Sequence, residues 1–176
     1  MNLGNVPLKT EYYTPAQNAE LIGMIKAAIR ILTEEDSIES QRPLLPNFAY
    51  QSPKAGGPPL FSYSLNGVND IGFRRAYGKE AWETSSVLTG VGKSSQIRRA
   101  VPKIEKEAFD FLSLTFRGID KEPKDVQGIK TLGFRFNYTS PKTGKRVDLV
   151  FYEPAYLHEK DSTYPSHFLS ADLKAQ

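Results

Sequence analysis

Leu132-Gly133-Phe134-Arg135-Phe136-Asn137-Tyr138-Thr139 runs into Ser140-Pro141-Lys142-Thr143-Gly144-Lys145 and then Arg146-Val147-Asp148-Leu149-Val150-Phe151-Tyr152. In the first run, Leu132, Phe134, Phe136 and Tyr138 alternate with smaller or polar residues. In the last, Val147, Leu149 and Phe151 alternate with Arg146 and Asp148. A period of two in aromatic and β-branched residues predicts strands, and the Pro/Gly cluster between them predicts a hairpin. Pro141 fixes its own φ, and Gly144 can adopt the positive φ that closes the loop. An isolated hairpin is marginal in water, so one aromatic face must be covered. Val150 and Tyr152 fall on the opposite face from Val147, Leu149 and Phe151, so the second strand is apolar on both sides. The Phe134/Phe136 face is expected to pack on helices. The Val150/Tyr152 face is expected to lie under an arm, from this chain or a neighbouring copy.

Upstream of the hairpin, Ile97, Val101, Ile104, Ala108, Phe111, Leu112 and Thr115 recur at three- and four-residue steps. This predicts a core helix, starting at Ser94, Ser95 or Pro102, kinked at Pro102 and capped by Gly118, with Phe111 and Leu112 buried. A first helix is clearer. Thr14-Pro15-Ala16-Gln17 reads as a capping box with proline at the first helical position. Leu21, Ile22, Ile25, Ala28, Ile29 and Leu32 then form one apolar stripe, in a helix running to about Glu35. Glu34-Glu35-Asp36 is unfavourable beside a helix C-terminus, and fraying is expected there.

Residues 40–70 hold five prolines and two adjacent glycines among Leu44, Leu45, Phe48, Tyr50, Leu60, Phe61, Tyr63 and Leu65. The segment is too apolar for a solvated linker. Short strands are expected near Asn47–Gln51 and Leu60–Leu65, turns at Asn66-Gly67 and Asn69-Asp70, and a short helix at Arg74–Trp82. Thr89-Gly90-Val91-Gly92-Lys93-Ser94 invites comparison with a phosphate-binding loop, but the required first glycine is Val87 and no buried strand precedes it. The tail after Tyr152 mixes aromatic, proline and charged residues, with a terminal helical turn expected at Leu169–Leu173.

The chain has 176 residues, 39% hydrophobic and 24% charged, enough for one self-sufficient core. It contains no cysteine, which excludes disulfides and thiolate chemistry. No signal peptide or membrane-spanning run is recognisable, so a cytoplasmic location, or a particle assembled in the cytoplasm, is expected. His158 and His167 are the only imidazoles. Their spacing in a loop-like tail does not resemble a metal site, and no Gly-x-Ser-x-Gly is present. Arg146-x-Asp148 is better explained by cross-strand pairing than by a nuclease centre. No catalytic residue, cofactor or metal is therefore expected.

The net charge of +3 is unevenly distributed. Residues 72–103 carry seven basic residues against Glu80 and Glu83, and residues 128–146 carry five and no acid. Arg74, Arg75, Arg98, Arg99, Arg135, Lys142, Lys145 and Arg146 are the candidate phosphate contacts.

The sequence thus predicts one α+β domain: two main helices packed on a small, mostly antiparallel sheet centred on the hairpin. Extended arms are expected at 1–13, 40–70 and 153–176. The expected function is non-enzymatic, as a structural or assembly subunit of a homo- or hetero-oligomer, for example a ring or tube component of a phage-like head–tail junction or tail. Val150, Tyr152, Tyr156, Tyr164 and Phe168 are the candidate partner contacts. The alternative is nucleic-acid binding through the two basic patches.

Overall fold

The computed structural model describes residues 9–36, 48–51, 60–65, 69–75, 82–89 and 98–176, with the backbone alone at 9, 48–51, 60–65, 69–75, 82–84 and 98–100. In chain order the elements are β1 (Lys9–Tyr12), α1 (Pro15–Leu32), β2 (Phe48–Gln51), β3 (Leu60–Leu65), β4 (Asn69–Arg75), β5 (Trp82–Leu88), β6 (Arg98–Val101), α2 (Lys106–Phe111), β7 (Thr115–Ile119), β8 (Lys124–Val126), β9 (Ile129–Thr139), β10 (Arg146–Pro154) and β11 (Ser170–Ala175). Among the described residues, nine strands form one sheet, ordered β2-β3-β4-β5-β11-β10-β9-β7, with β8 also paired to β9. Every pairing in it is antiparallel. β1 and β6 pair in parallel as a separate ribbon. The architecture is α+β, with two helices on a mostly antiparallel sheet that is larger than the sequence led us to expect.

The hairpin of β9 and β10 pairs Thr139 with Arg146 and Phe134 with Phe151. Its loop is closed by Ser140 N–H to the Lys145 carbonyl (2.8 Å) and Gly144 N–H to the Ser140 carbonyl (2.9 Å). Gly144 has φ +72. Phe134, Phe136, Val147, Leu149 and Phe151 face the main core. There Phe136 stacks on Phe109 of α2 at 5.0 Å and meets Phe151 edge-on at 5.5 Å.

Helix α1 starts as its residues dictate. Thr14 Oγ1 accepts from Gln17 N–H, and Gln17 Oε1 accepts from Thr14 N–H. The helix lies against β5 and β11. Met24, Ala27 and Ile31 are buried along with most of the expected stripe, so it is covered on more than one face. It ends at Leu32 rather than Glu35. Glu34, at φ +58, takes the left-handed position that follows a helix. Glu34 N–H reaches the Ile31 carbonyl and Glu35 N–H reaches the Arg30 carbonyl, which completes a Schellman closure. The acidic end is therefore fastened, not frayed.

The second predicted helix is the largest correction. Residues 98–101 are strand β6, α2 covers only Lys106–Phe111, and Thr115–Ile119 is strand β7. Two local effects divide the segment. Pro102 biases Val101 to extended backbone, so a helix cannot pass through it. Ser113 at φ +58 stops α2, and Leu114 and Phe116 then alternate with exposed Thr115 and Arg117. Gly118 is not a helix cap. It sits at a register shift between β7 and β9 with φ +127. Leu112 is buried, but Phe111 is 57% exposed, and its place in the core is taken by Phe109 at 2%.

Other segments expected to be peripheral lie within the sheet. Leu169–Leu173 is not a helical turn: Ser170–Ala175 is a strand with β5 on one side and β10 on the other. Residues 48–51 and 60–65 pair as antiparallel strands. Arg74, Arg75 and Trp82 are strand residues, not part of a helix, while 76–81 lie outside the described residues. Asn69 and Asp70 likewise belong to β4. The Asn66-Gly67 turn and the glycine-rich loop after Thr89 fall outside the described residues.

Candidate functional site

The five candidate partner contacts are engaged within the chain. Val150 and Tyr152 are 8% and 7% exposed. Contacts to this face come from Asp120 in the connection from β7 to β8, from Lys124 at the start of β8 and from Asp172 of the C-terminal segment. Lys124 Nζ lies 4.4 Å from the centre of the Tyr152 ring and 3.7 Å from Asp172. Asp120 N–H bonds to the Gly133 carbonyl at 2.8 Å, and its carboxylate occupies the space a side chain at Gly133 would fill, close to Val150. Phe168 is fully buried and meets Phe151 edge-on at 5.0 Å, so its ring has no surface to offer a partner. Tyr164 packs against Phe109, Phe116 and Phe136. Tyr156 lies within hydrogen-bonding distance of Thr10 (3.2 Å) and against the small cluster of Val101, Ile129 and Leu169.

The hairpin's basic residues are similarly committed. Arg135 grips Asp120 with two N–H groups. Lys145 pairs with Glu34, and Arg146 with Asp148 at 3.1 Å. Lys142 adds its charge beside Glu35. The Lys145 and Lys142 contacts clasp the hairpin tip to the end of α1. Thr143 Oγ1 donates to the Thr33 carbonyl at 2.7 Å, and the Tyr138 hydroxyl donates to Glu35. Burial pushes the Glu35 carboxyl up, but the Ser140 and Tyr138 hydroxyls with the Arg30 and Lys142 charges outweigh it and hold the group below its ordinary value. Burial and the Glu35 hydrogen bond push the Tyr138 hydroxyl up to about 12. Arg74, Arg75, Arg98 and Arg99 lie on strands β4 and β6, with their side chains outside the described residues.

A buried polar knot was not legible in the sequence. The Glu153 carboxylate is fully buried. One oxygen lies 2.7 Å from His158 Nδ1. The other accepts from the backbone N–H groups of Ser166 (2.7 Å) and His167 (2.8 Å) and from the Ser166 hydroxyl (3.1 Å). Ser166 Oγ also lies 2.8 Å from His167 Nδ1. Serine, histidine and carboxylate together invite comparison with a nucleophilic triad, but a triad places hydroxyl and carboxylate on opposite ring nitrogens. Here both approach Nδ1, with Glu153 at 3.7 Å, and the buried Nε2 has no partner. The knot fastens residues 158–167 to β10. Among the described residues, no three His, Asp or Glu side chains are grouped to hold a metal.

An open surface remains between the helices. Pro15, Asn18, Ala19, Ile22 and Gly23 of α1 face Ile104, Ala108 and Phe111 across a cleft of about 540 Å³. Lys103 and Glu105 stand on its rim. Asn18 Nδ2 donates to the Lys103 carbonyl at 3.2 Å, which ties the helix to the segment before α2. Asn18 Oδ1 is buried with no partner. Phe111 projects at the far end with Lys26 Nζ 4.0 Å above its ring. Tyr12 and Ile119 are the other large apolar side chains exposed among the described residues. No described helix is long and apolar enough to cross a membrane. No family model, curated protein or solved structure matches the chain.

Proposed function

We propose that the chain is a non-enzymatic assembly subunit that binds another protein surface through the cleft between α1 and α2. The observation that carries this reading is the pairing of an open, predominantly apolar cleft with the exposed ring of Phe111. An apolar cleft with an aromatic anchor at its end, rimmed by charged side chains, has the composition of an interaction surface rather than of ordinary solvated surface. Val150 and Tyr152 are covered within the chain and are not part of this surface. The phage-like ring or tube is one form such an assembly could take. Nucleic-acid binding ranks behind, because Arg135, Lys145 and Arg146 each pair with a carboxylate of this chain. Light scattering on the purified chain tests the proposal: a mass above that of one chain is expected, and a clean monomer on the order of tens of micromolar would count against it.

A further inference from the structure

The cleft carries its own filler beside it. Phe111 stands at the end of the cleft, and across from it α1 presents two small residues, Ala19 and Gly23, one turn apart. Gly23 sits inside an 18-residue helix, where glycine is less favourable than alanine. No atom of the described residues beyond its own helix lies within 4 Å of where its side chain would begin, so nothing described in the chain accounts for a glycine there. A glycine facing open space on an apolar helix face suits close approach by a group from outside.

The charges at the rims narrow the choice of partner. The α1 side carries Lys26, whose described contact is the Phe111 ring. The α2 side carries exposed Glu105, Glu107 and Asp110, interspersed with Lys103 and Lys106. A two-fold axis running along the cleft sets the α1 rim of one copy against the α2 rim of the other. Lys26 then meets an acidic edge, and no excess of like charge is forced together. The two elements run in the same sense along the cleft, since Asn18 neighbours Lys103 and Lys26 neighbours Phe111. The same rotation therefore places each Phe111 over the other copy's Gly23–Lys26 turn.

Building on the assembly reading, we propose that the occupant of the cleft is a second copy of this chain, in a closed two-fold pair with each Phe111 seated against Gly23 and Ala19 of its partner. Such a pair closes on itself through this face and does not propagate into a ring.

The test compares wild type with Gly23→Arg and Phe111→Glu by light scattering. Wild type is expected at twice the chain mass and both variants at the single-chain mass. Arginine is a good helix former in open space, so Gly23→Arg should melt no lower than a wild-type sample diluted to monomer. Because the chain lacks cysteine, mixing Ala19→Cys with Phe111→Cys under mild oxidation should give one inter-chain disulfide product. A wild-type oligomer whose mass survives both substitutions would overturn this interface and leave the assembly reading standing. A wild-type monomer at every concentration would overturn both.

Discussion

Phe109 and Phe111 are two residues apart on a helix of six, and the structure gives them opposite roles. Phe109 stacks on Phe136 and meets Phe151 edge-on inside the core, whereas Phe111 stands in solvent under Lys26. Phe109→Ala should destabilise the fold by about 3–5 kcal/mol. In the dissociated single chain, Phe111→Ala should cost about 1 kcal/mol or less, the scale of an exposed cation–π contact. Denaturant melts of the two variants check the assignment, and comparable losses would contradict it. The sequence pointed to Phe111 because it lies three residues after Ala108 and four before Thr115 in an assumed long helix. A six-residue helix between two strands offers too little periodicity to tell the two phenylalanines apart. Val150 was better placed by its pattern, as the apolar residue on a second covered face, though the pattern could not say what covers it. It lies opposite Arg135, which Asp120 already holds, and opposite Asp172 on the other side. Val150→Asp would bury a charge facing another carboxylate. It should destabilise the fold by at least about 3 kcal/mol, read as a lower melting midpoint, rather than yield a folded but dissociated subunit.

The elements were legible where one local signal dominated. The start of α1 follows from four residues, and the alternation in 132–152 follows from side chains that report the pleat directly. The end of α1 was not legible, because a glutamate rather than a glycine takes the left-handed closing position and because further partners of that end lie more than a hundred positions away. Tyr138, Thr143 and Lys145 reach the helix end from the hairpin, and they turn an acidic terminus into a docking point. The clasp has a pH signature. The hydroxyl of Tyr138 is raised from its ordinary value of 10 to about 12 in the folded chain, so its contribution is fully present below pH 10 and is lost as pH rises towards 12. Glu35 is lowered, so its contribution is present above the ordinary carboxyl range and is lost as pH falls through the folded value. Tyr138→Phe should therefore weaken the fold at neutral pH and flatten its stability between pH 10 and 12 relative to wild type. Equal alkaline slopes for the two proteins in chemical denaturation would show that the hydroxyl is not the group responsible.

At the scale of the molecule, the sequence conveyed the class but not the connections. Alternation identifies a strand, yet nothing in Ser170–Ala175 says that it belongs in the middle of the sheet, because its alternation is short and its partners lie at 84–88 and 147–152. The polar knot escaped for the same reason: Glu153, His158, Ser166 and His167 become neighbours only when the segment between β10 and β11 folds back. The position of β11 also has a consequence for the order in which the protein is made. The sheet halves β2–β5 and β7–β10 leave the ribosome before the strand that joins them. Until residue 175 has emerged, β5 and β10 each offer an unpaired edge, and the apolar faces they frame are open to other chains. A nascent chain stopped before Ser170 should then be readily cut by protease, with resistance appearing only once the joining strand is released. Full resistance in the shorter chain would mean that the two halves hold together without it.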